Sequence, residues 1–286
     1  MYSLVPALEA ESFKAVTVDA VPSLPAGAPL VVLAHRPSEL HDLPATSAVV
    51  MPFLWDVWPR EVSGYLAALE ECRPELIFVT NRWSERALQK DSSLPPVMYV
   101  PEAVDFGTYY CTDPLNNRAV GVLEYGRRHS EWHDTIAPSL VAAGVVHQFS
   151  PSSHDLGRYH LFETRDDLVR TLRDSVVSVC FPASMTDPRR MRGVEALTAR
   201  YFESIAAGCL IVGHCPEELV ALLGYNPVCE VDWSDPAGQL LEILRAPESW
   251  QADVSAAQER MHRLGDWAER ASRISEAVRN VVLKRR

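Results

Sequence analysis

The chain has 286 residues, 47% of them hydrophobic, enough apolar material for one large or two modest cores. A formal charge of -11 at pH 7 argues against general DNA or RNA binding, whose affinity comes from Lys and Arg neutralising phosphates. A charged fraction of 23% argues against wholesale disorder.

Short apolar runs rich in β-branched residues alternate with longer amphipathic stretches. The runs Leu30–Ala34, Ala48–Pro52, Leu76–Thr80, Val97–Val100, Val120–Tyr125, Val145–Phe149, Val176–Phe181, Cys209–Val212 and Val228–Val231 lack polar alternation. That is the pattern of strands buried on both faces of a parallel sheet. Between them, Pro59–Cys72 starts on a proline and puts Val62, Tyr65, Leu66 and Leu69 on one helical face. Thr164 is placed to cap a helix over Arg165–Asp174, and Asp235-Pro236 marks another helix start. Strand–helix alternation predicts an α/β fold with right-handed crossovers. The polar stretch within Pro101–Asn117 marks the domain boundary, giving Rossmann-like domains over 1–110 and 111–286. Residues from about Ser249 to Lys284 read as one or two closing helices; with Trp250 and Trp267 they suit packing on the N-terminal half or a homodimer face.

No run approaches the ~20 apolar residues of a membrane span, and the first ten residues carry no Lys or Arg, so the basic start of a signal peptide is missing. The six cysteines (Cys72, Cys111, Cys180, Cys209, Cys215, Cys229) form no C-x-x-C pair. Reduced, partly buried thiols in a cytoplasmic protein are expected, without a zinc site.

The segment Val176 to Gly213 carries the most chemistry. A buried strand runs to Phe181 and is followed by a loop with Arg189, Arg190, Arg192 and Gly193. A helix through Arg200 and Glu203 then stops at Gly208, before the next strand. Loops leaving the carboxyl ends of parallel strands are where open α/β sheets bind ligands, and helix starts with arginines suit phosphate. Glu195 and Glu203 would not share a helix face if both were helical. They converge only with Glu195 in the loop and Glu203 a turn or more inside a helix capped at Thr198. An ionised Glu203 there can accept two ribose hydroxyls; the alternative is a surface i,i+3 pair with Arg200.

Glu195…Glu203, followed by Ser204-Ile205-Ala206-Ala207-Gly208 and a short strand, resembles the E-x7-E helix of retaining GT-B glycosyltransferases. With Arg200 three residues before Glu203, it is closest to the spore-maturation-type, group 1 branch. Val122-Leu123-Glu124-Tyr125-Gly126-Arg127-Arg128 looks like the strand–Gly–Arg opening of the C-terminal GT-B domain, and Tyr99–Asp105 is similar to the segment linking the two halves. The resemblance implies two Rossmann-like domains with a shortened N-terminal half, and a sugar moved from a UDP- or GDP-linked donor to an unknown acceptor without a metal or other cofactor. It assigns Glu203 to the donor ribose, Arg127 to the diphosphate with Arg128, Arg192 or Arg200 helping, and Phe181-Pro182 to the base. It sets Glu195 near the donor sugar and makes His35 the candidate for the histidine near the reacting carbon. The sequence holds no D-x-D motif, in keeping with metal-independent transfer. Where the family often has a lysine after Gly-Arg, this chain reads His129-Ser130-Glu131-Trp132-His133, so another cation must serve. Trp55 and Trp58 beside Asp56 suit either a sugar platform or core packing. A GT-B-like sugar-nucleotide epimerase or hydrolase and a catalytically degenerate binding or scaffold protein are the alternatives.

Overall fold

A computed structural model describes residues 4–151 and 161–285. Its strands are β1 (Pro29–Ala34), β2 (Val49–Leu54), β3 (Ile77–Val79), β4 (Val97–Tyr99), β5 (Val120–Glu124), β6 (His147–Phe149), β7 (Ser175–Cys180), β8 (Leu210–Gly213) and β9 (Val228–Glu230). Every run read as a strand from its hydrophobicity is one. All pairings between them are parallel. They form a four-stranded sheet ordered β1-β2-β3-β4 and a five-stranded sheet ordered β6-β5-β7-β8-β9. The predicted α/β class, with two Rossmann-like halves, is what the chain adopts.

Two compact units result. The first comprises Met1–Glu102, Arg189–Ala196 and Trp267–Arg286; the second comprises Ala103–Pro188 and Leu197–Asp266. This division differs from a single cut at 110/111 because the chain returns to the first unit twice. The last helix, Trp267–Lys284, belongs to that unit through its own chemistry. Arg270, 2% exposed, donates to the Pro101 carbonyl at 3.2 Å, and Trp267 lies 6.4 Å from Trp55, ring centroid to centroid. The return of this last helix is one of the two placements that the sequence offered for the closing helices; the return of Arg189–Ala196 was not anticipated.

In the first unit, the helix Val62–Cys72 buries Tyr65, Ala68 and Leu69 against Leu54, Ile77 and Val79. Both tryptophans flanking Asp56 are core residues, each 4% exposed. In the second unit the sheet is covered on both faces, as an all-parallel sheet requires. On one face Trp132, Ile136 and Leu140 of the helix Ser130–Ala142 join Leu240 and Ile243 of the helix Pro236–Arg245. On the other, Leu172, Tyr201, Phe202, Ile205 and Met261 come from the helices Arg165–Arg173, Ala199–Ala206 and Gln251–Leu264. Thr164 caps as expected, in a box with Asp167, worth ~1 kcal/mol. Gly208 ends its helix at φ +68°, a left-handed position that costs a glycine nothing. Among the described residues no helix is long and apolar enough to cross a membrane.

Candidate functional site

In the second unit β5 has β6 on one side and β7 on the other, so the chain leaves the carboxyl ends of β5 and β7 in opposite directions. That divergence opens the crevice where doubly wound sheets hold ligands. Five of the residues picked out in the sequence, Arg127, Arg128, Phe181, Arg200 and Glu203, gather around it.

Arg200 binds the two strand ends together. Its Nη1 donates to the carbonyls of Tyr125 (3.1 Å) and Arg127 (3.0 Å), and its Nη2 to that of Phe181 (3.3 Å). It does not form the surface i,i+3 pair with Glu203. Gly126 makes the turn at φ +73°, a conformation that L side chains resist, and its N–H donates to the buried Ser150 hydroxyl at 2.9 Å. Arg127 and Arg128 therefore leave a turn fixed from two sides.

Glu203 lies inside the helix Ala199–Ala206, while Glu195 lies in the non-helical stretch before it. Thr198 is the N-cap residue by backbone geometry, but its side chain makes no capping bond. The Glu203 carboxylate is half-buried and held by two phenols. Tyr109 Oη donates to Oε1 at 2.8 Å and Tyr125 Oη to Oε2 at 3.1 Å. Arg165 Nε donates in turn to Tyr109 Oη at 3.3 Å. Burial, then the Glu203 charge, pushes both phenols well above the usual tyrosine range, with Arg165 opposing at Tyr109 and Arg200 at Tyr125. They are fixed donors at any ordinary pH. A carboxylate has about four acceptor positions, and the phenols occupy one on each oxygen.

Phe181, 2% exposed, directly follows β7 and packs in an aromatic group. Its centroid is 4.9 Å from His129 and 6.1 Å from Trp233, and Trp233 is 51% exposed. Burial lowers the His129 pKa, with Glu131 and Glu124 opposing. The neutral ring accepts from the Trp132 N–H at 3.3 Å and caps the helix Ser130–Ala142.

Sequence reading gave no role to Glu124, which proves to be the most buried carboxylate of this region, 2% exposed. Its Oε1 meets His133 Nδ1 at 2.5 Å and His147 Nε2 at 2.8 Å, and His133 Nε2 meets Arg128 Nη1 at 2.8 Å. Burial works to raise the Glu124 pKa, but the hydrogen bonds from His133 and His147 oppose it and the carboxyl is held below its usual range. The available signal was an acidic residue inside an otherwise apolar strand run.

The remaining predicted residues belong to the first unit. His35 follows β1 and stacks on Trp55, with centroids 4.8 Å apart and planes 18° apart. Its N–H donates to Glu39 Oε2 at 2.5 Å. Arg192 is exposed, with φ +47°, and Glu195 is half-buried. In the same stretch Arg190 Nε donates to Glu61 Oε1 at 3.1 Å.

No protein-family model matches the chain, and no curated protein matches it in sequence. Solved structures do match its fold. A sucrose-phosphate synthase from Thermosynechococcus elongatus aligns at TM-score 0.58 and 13% identity, over 89% of this chain and 74% of the other. HepE from Anabaena aligns at 13% identity in two complexes. With UDP-glucose the TM-score is 0.57 over 87% of this chain and 78% of HepE; with UDP it is 0.59 over 92% and 80%. The two-domain GT-B fold is shared at an identity that leaves chemistry to be argued from this chain's own residues.

Proposed function

We propose that the protein is a sugar-nucleotide-dependent glycosyltransferase that takes a sugar from a UDP- or GDP-linked donor, with retention of configuration and without a metal. The observation that carries the reading is the Glu203 carboxylate. It is fixed by Tyr109 and Tyr125 through one acceptor position per oxygen, which leaves the others for the two hydroxyls of a donor ribose. HepE, which shares the fold, binds UDP-glucose and UDP.

Each part of a nucleotide sugar finds a matching group. The base lies against Phe181 and Trp233. The diphosphate faces Arg127 and Arg128, on a turn that leads into the N-terminus of a 13-residue helix whose partial positive charge favours anions. When the bond from sugar to diphosphate breaks, negative charge grows on the leaving phosphate. Preorganised guanidinium groups stabilise that charge without reorganisation. Arg200 spends its Nη donors on backbone carbonyls, so its part is to keep the strand ends in place for Arg127. Glu195 and His35 are proposed to act at the sugar and the acceptor.

Thermal melting with UDP, GDP and ADP and their sugars tests the reading. A ligand at 100 times its Kd adds about 2.7 kcal/mol to the folded state, so UDP or GDP should raise Tm by roughly 5 °C or more. Glu203→Ala should abolish the shift. A wild-type protein whose melting no nucleotide moves would end the proposal.

A further inference from the structure

Arg128 directly precedes the stretch His129–His133, where the resemblance calls for a second cation and no lysine stands. Its surroundings fix its geometry closely. The guanidinium carbon lies 5.1 Å from the centroid of the Phe149 ring, and Nη1 is 2.8 Å from His133 Nε2. A guanidinium has donors only, so His133 Nε2 must accept, and the imidazole proton sits on Nδ1. That nitrogen then donates to Glu124 Oε1 at 2.5 Å. The chain of contacts is cation, neutral imidazole, buried anion, with His147 donating a second hydrogen bond to the same oxygen at 2.8 Å. Arg128 and Glu124 thus form an ion pair relayed through a ring rather than made directly.

We infer that Glu124 and His133 are positioning residues that hold the Arg128 guanidinium for the donor diphosphate; this rests on the donor-binding reading above. The arrangement suits that task. A direct Arg–carboxylate pair would occupy the guanidinium face that matches a phosphate bidentately. An imidazole takes one N–H and leaves the rest of the fork. The anchor is rigid, because Glu124, His133 and His147 side chains are 2%, 9% and 4% exposed, and His133 is carried by the helix that begins at Ser130.

A cation held by Glu124, His133 and His147, whose ligand atoms lie within 4.8 Å of one another, is the competing use of these side chains. Metal on His133 Nδ1 would drive the proton to Nε2 and set two donors face to face at Arg128. The tautomer fixed by Arg128 therefore favours the relay.

A double-mutant cycle on the full chain tests it, with UDP, GDP and the corresponding monophosphates titrated by calorimetry. Arg128→Ala and His133→Phe should each weaken diphosphate binding about tenfold, the scale of one charge-assisted contact. The double variant should be no weaker than Arg128→Ala alone, and monophosphate affinity should change less. A merely structural role for His133 would instead multiply the losses and affect both ligand classes equally. Should His133→Phe fail to fold, Glu124→Gln, which keeps the shape and removes the charge, carries the same cycle. Wild-type affinity in His133→Phe and Glu124→Gln, alongside weak Arg128→Ala, overturns the relay and leaves the donor-binding reading standing. No diphosphate binding by the wild type overturns both. Stoichiometric Zn2+ uptake that is lost in Glu124→Gln also overturns the relay, in favour of a metal.

Discussion

Tyr125 places its hydroxyl 3.1 Å from Glu203 Oε2, so the residue that follows β5 and the one proposed to hold a ribose are joined directly. The strand that delivers Arg127 therefore also sets the orientation of the carboxylate. Tyr125→Phe removes that donor and keeps the ring. Apparent affinity for UDP or GDP should fall several-fold and Tm should drop by an amount matching ~1–2 kcal/mol. Calorimetric titration and melting measure the two effects separately. Unchanged affinity would mean that Tyr109 alone suffices.

Arg200→Lys should be far from conservative. A lysine cannot reproduce a planar fork that spans three carbonyls, and those of Tyr125, Arg127 and Phe181 would lose their partner. A loss of ~2–4 kcal/mol is expected from charged hydrogen bonds of this kind, read by denaturant unfolding, together with weaker nucleotide binding. If stability holds while binding falls, Arg200 contacts the donor instead.

Trp233 is exposed beside Phe181 and His129, which suits a stacking residue and costs the fold little to remove. Trp233→Ala should leave stability within about 0.5 kcal/mol and weaken nucleotide binding by the ~1–3 kcal/mol typical of base stacking on an aromatic ring. Quenching of tryptophan fluorescence on adding UDP or GDP should disappear with it.

Glu124 ties the stability of the fold to acid pH. Its carboxyl is held below the usual range by His133 and His147 against the effect of burial. A group with a depressed folded pKa contributes stability that is present above the unfolded value of about 4.3 and is lost as pH falls through the folded pKa. Stability should decline below about pH 4, and Glu124→Gln should flatten that limb while lowering the neutral plateau. Unfolding free energies at pH 3 to 7 decide it.

His35 and Glu195 are proposed to serve the transfer rather than the nucleotide. His35→Ala and Glu195→Gln should keep the nucleotide-induced Tm shift and reduce the rate of sugar release or transfer by about a hundredfold or more, the lower range for a general acid–base group. Loss of the shift itself would move either residue to the donor side.

Hydrophobic runs revealed nine strands because a parallel sheet covered on both faces leaves no polar alternation to confuse the pattern. The helix with Arg200 and Glu203 was equally visible, since its stop at Gly208 and the next strand follow at once. Glu124 was hidden for a different reason. Its partners His133 and His147 stand 9 and 23 positions away, and only the β5–β6 pairing that sets Val122 beside His147 and Glu124 beside Phe149 brings them together. Tyr109 likewise gave no signal, because it meets Glu203 across 94 residues.

The backbone passes between the two units at 102/103, 188/189, 196/197 and 266/267. On a ribosome the second unit can complete its strands before the first receives the helix Trp267–Lys284, so the portion made first is finished last. A fragment ending near Glu102 would lack the helix that buries Trp267, Ile274 and Val278 in this unit. Cutting this protein into halves at the interdomain segment should therefore give one soluble piece and one that aggregates, unless the final helix is supplied alongside.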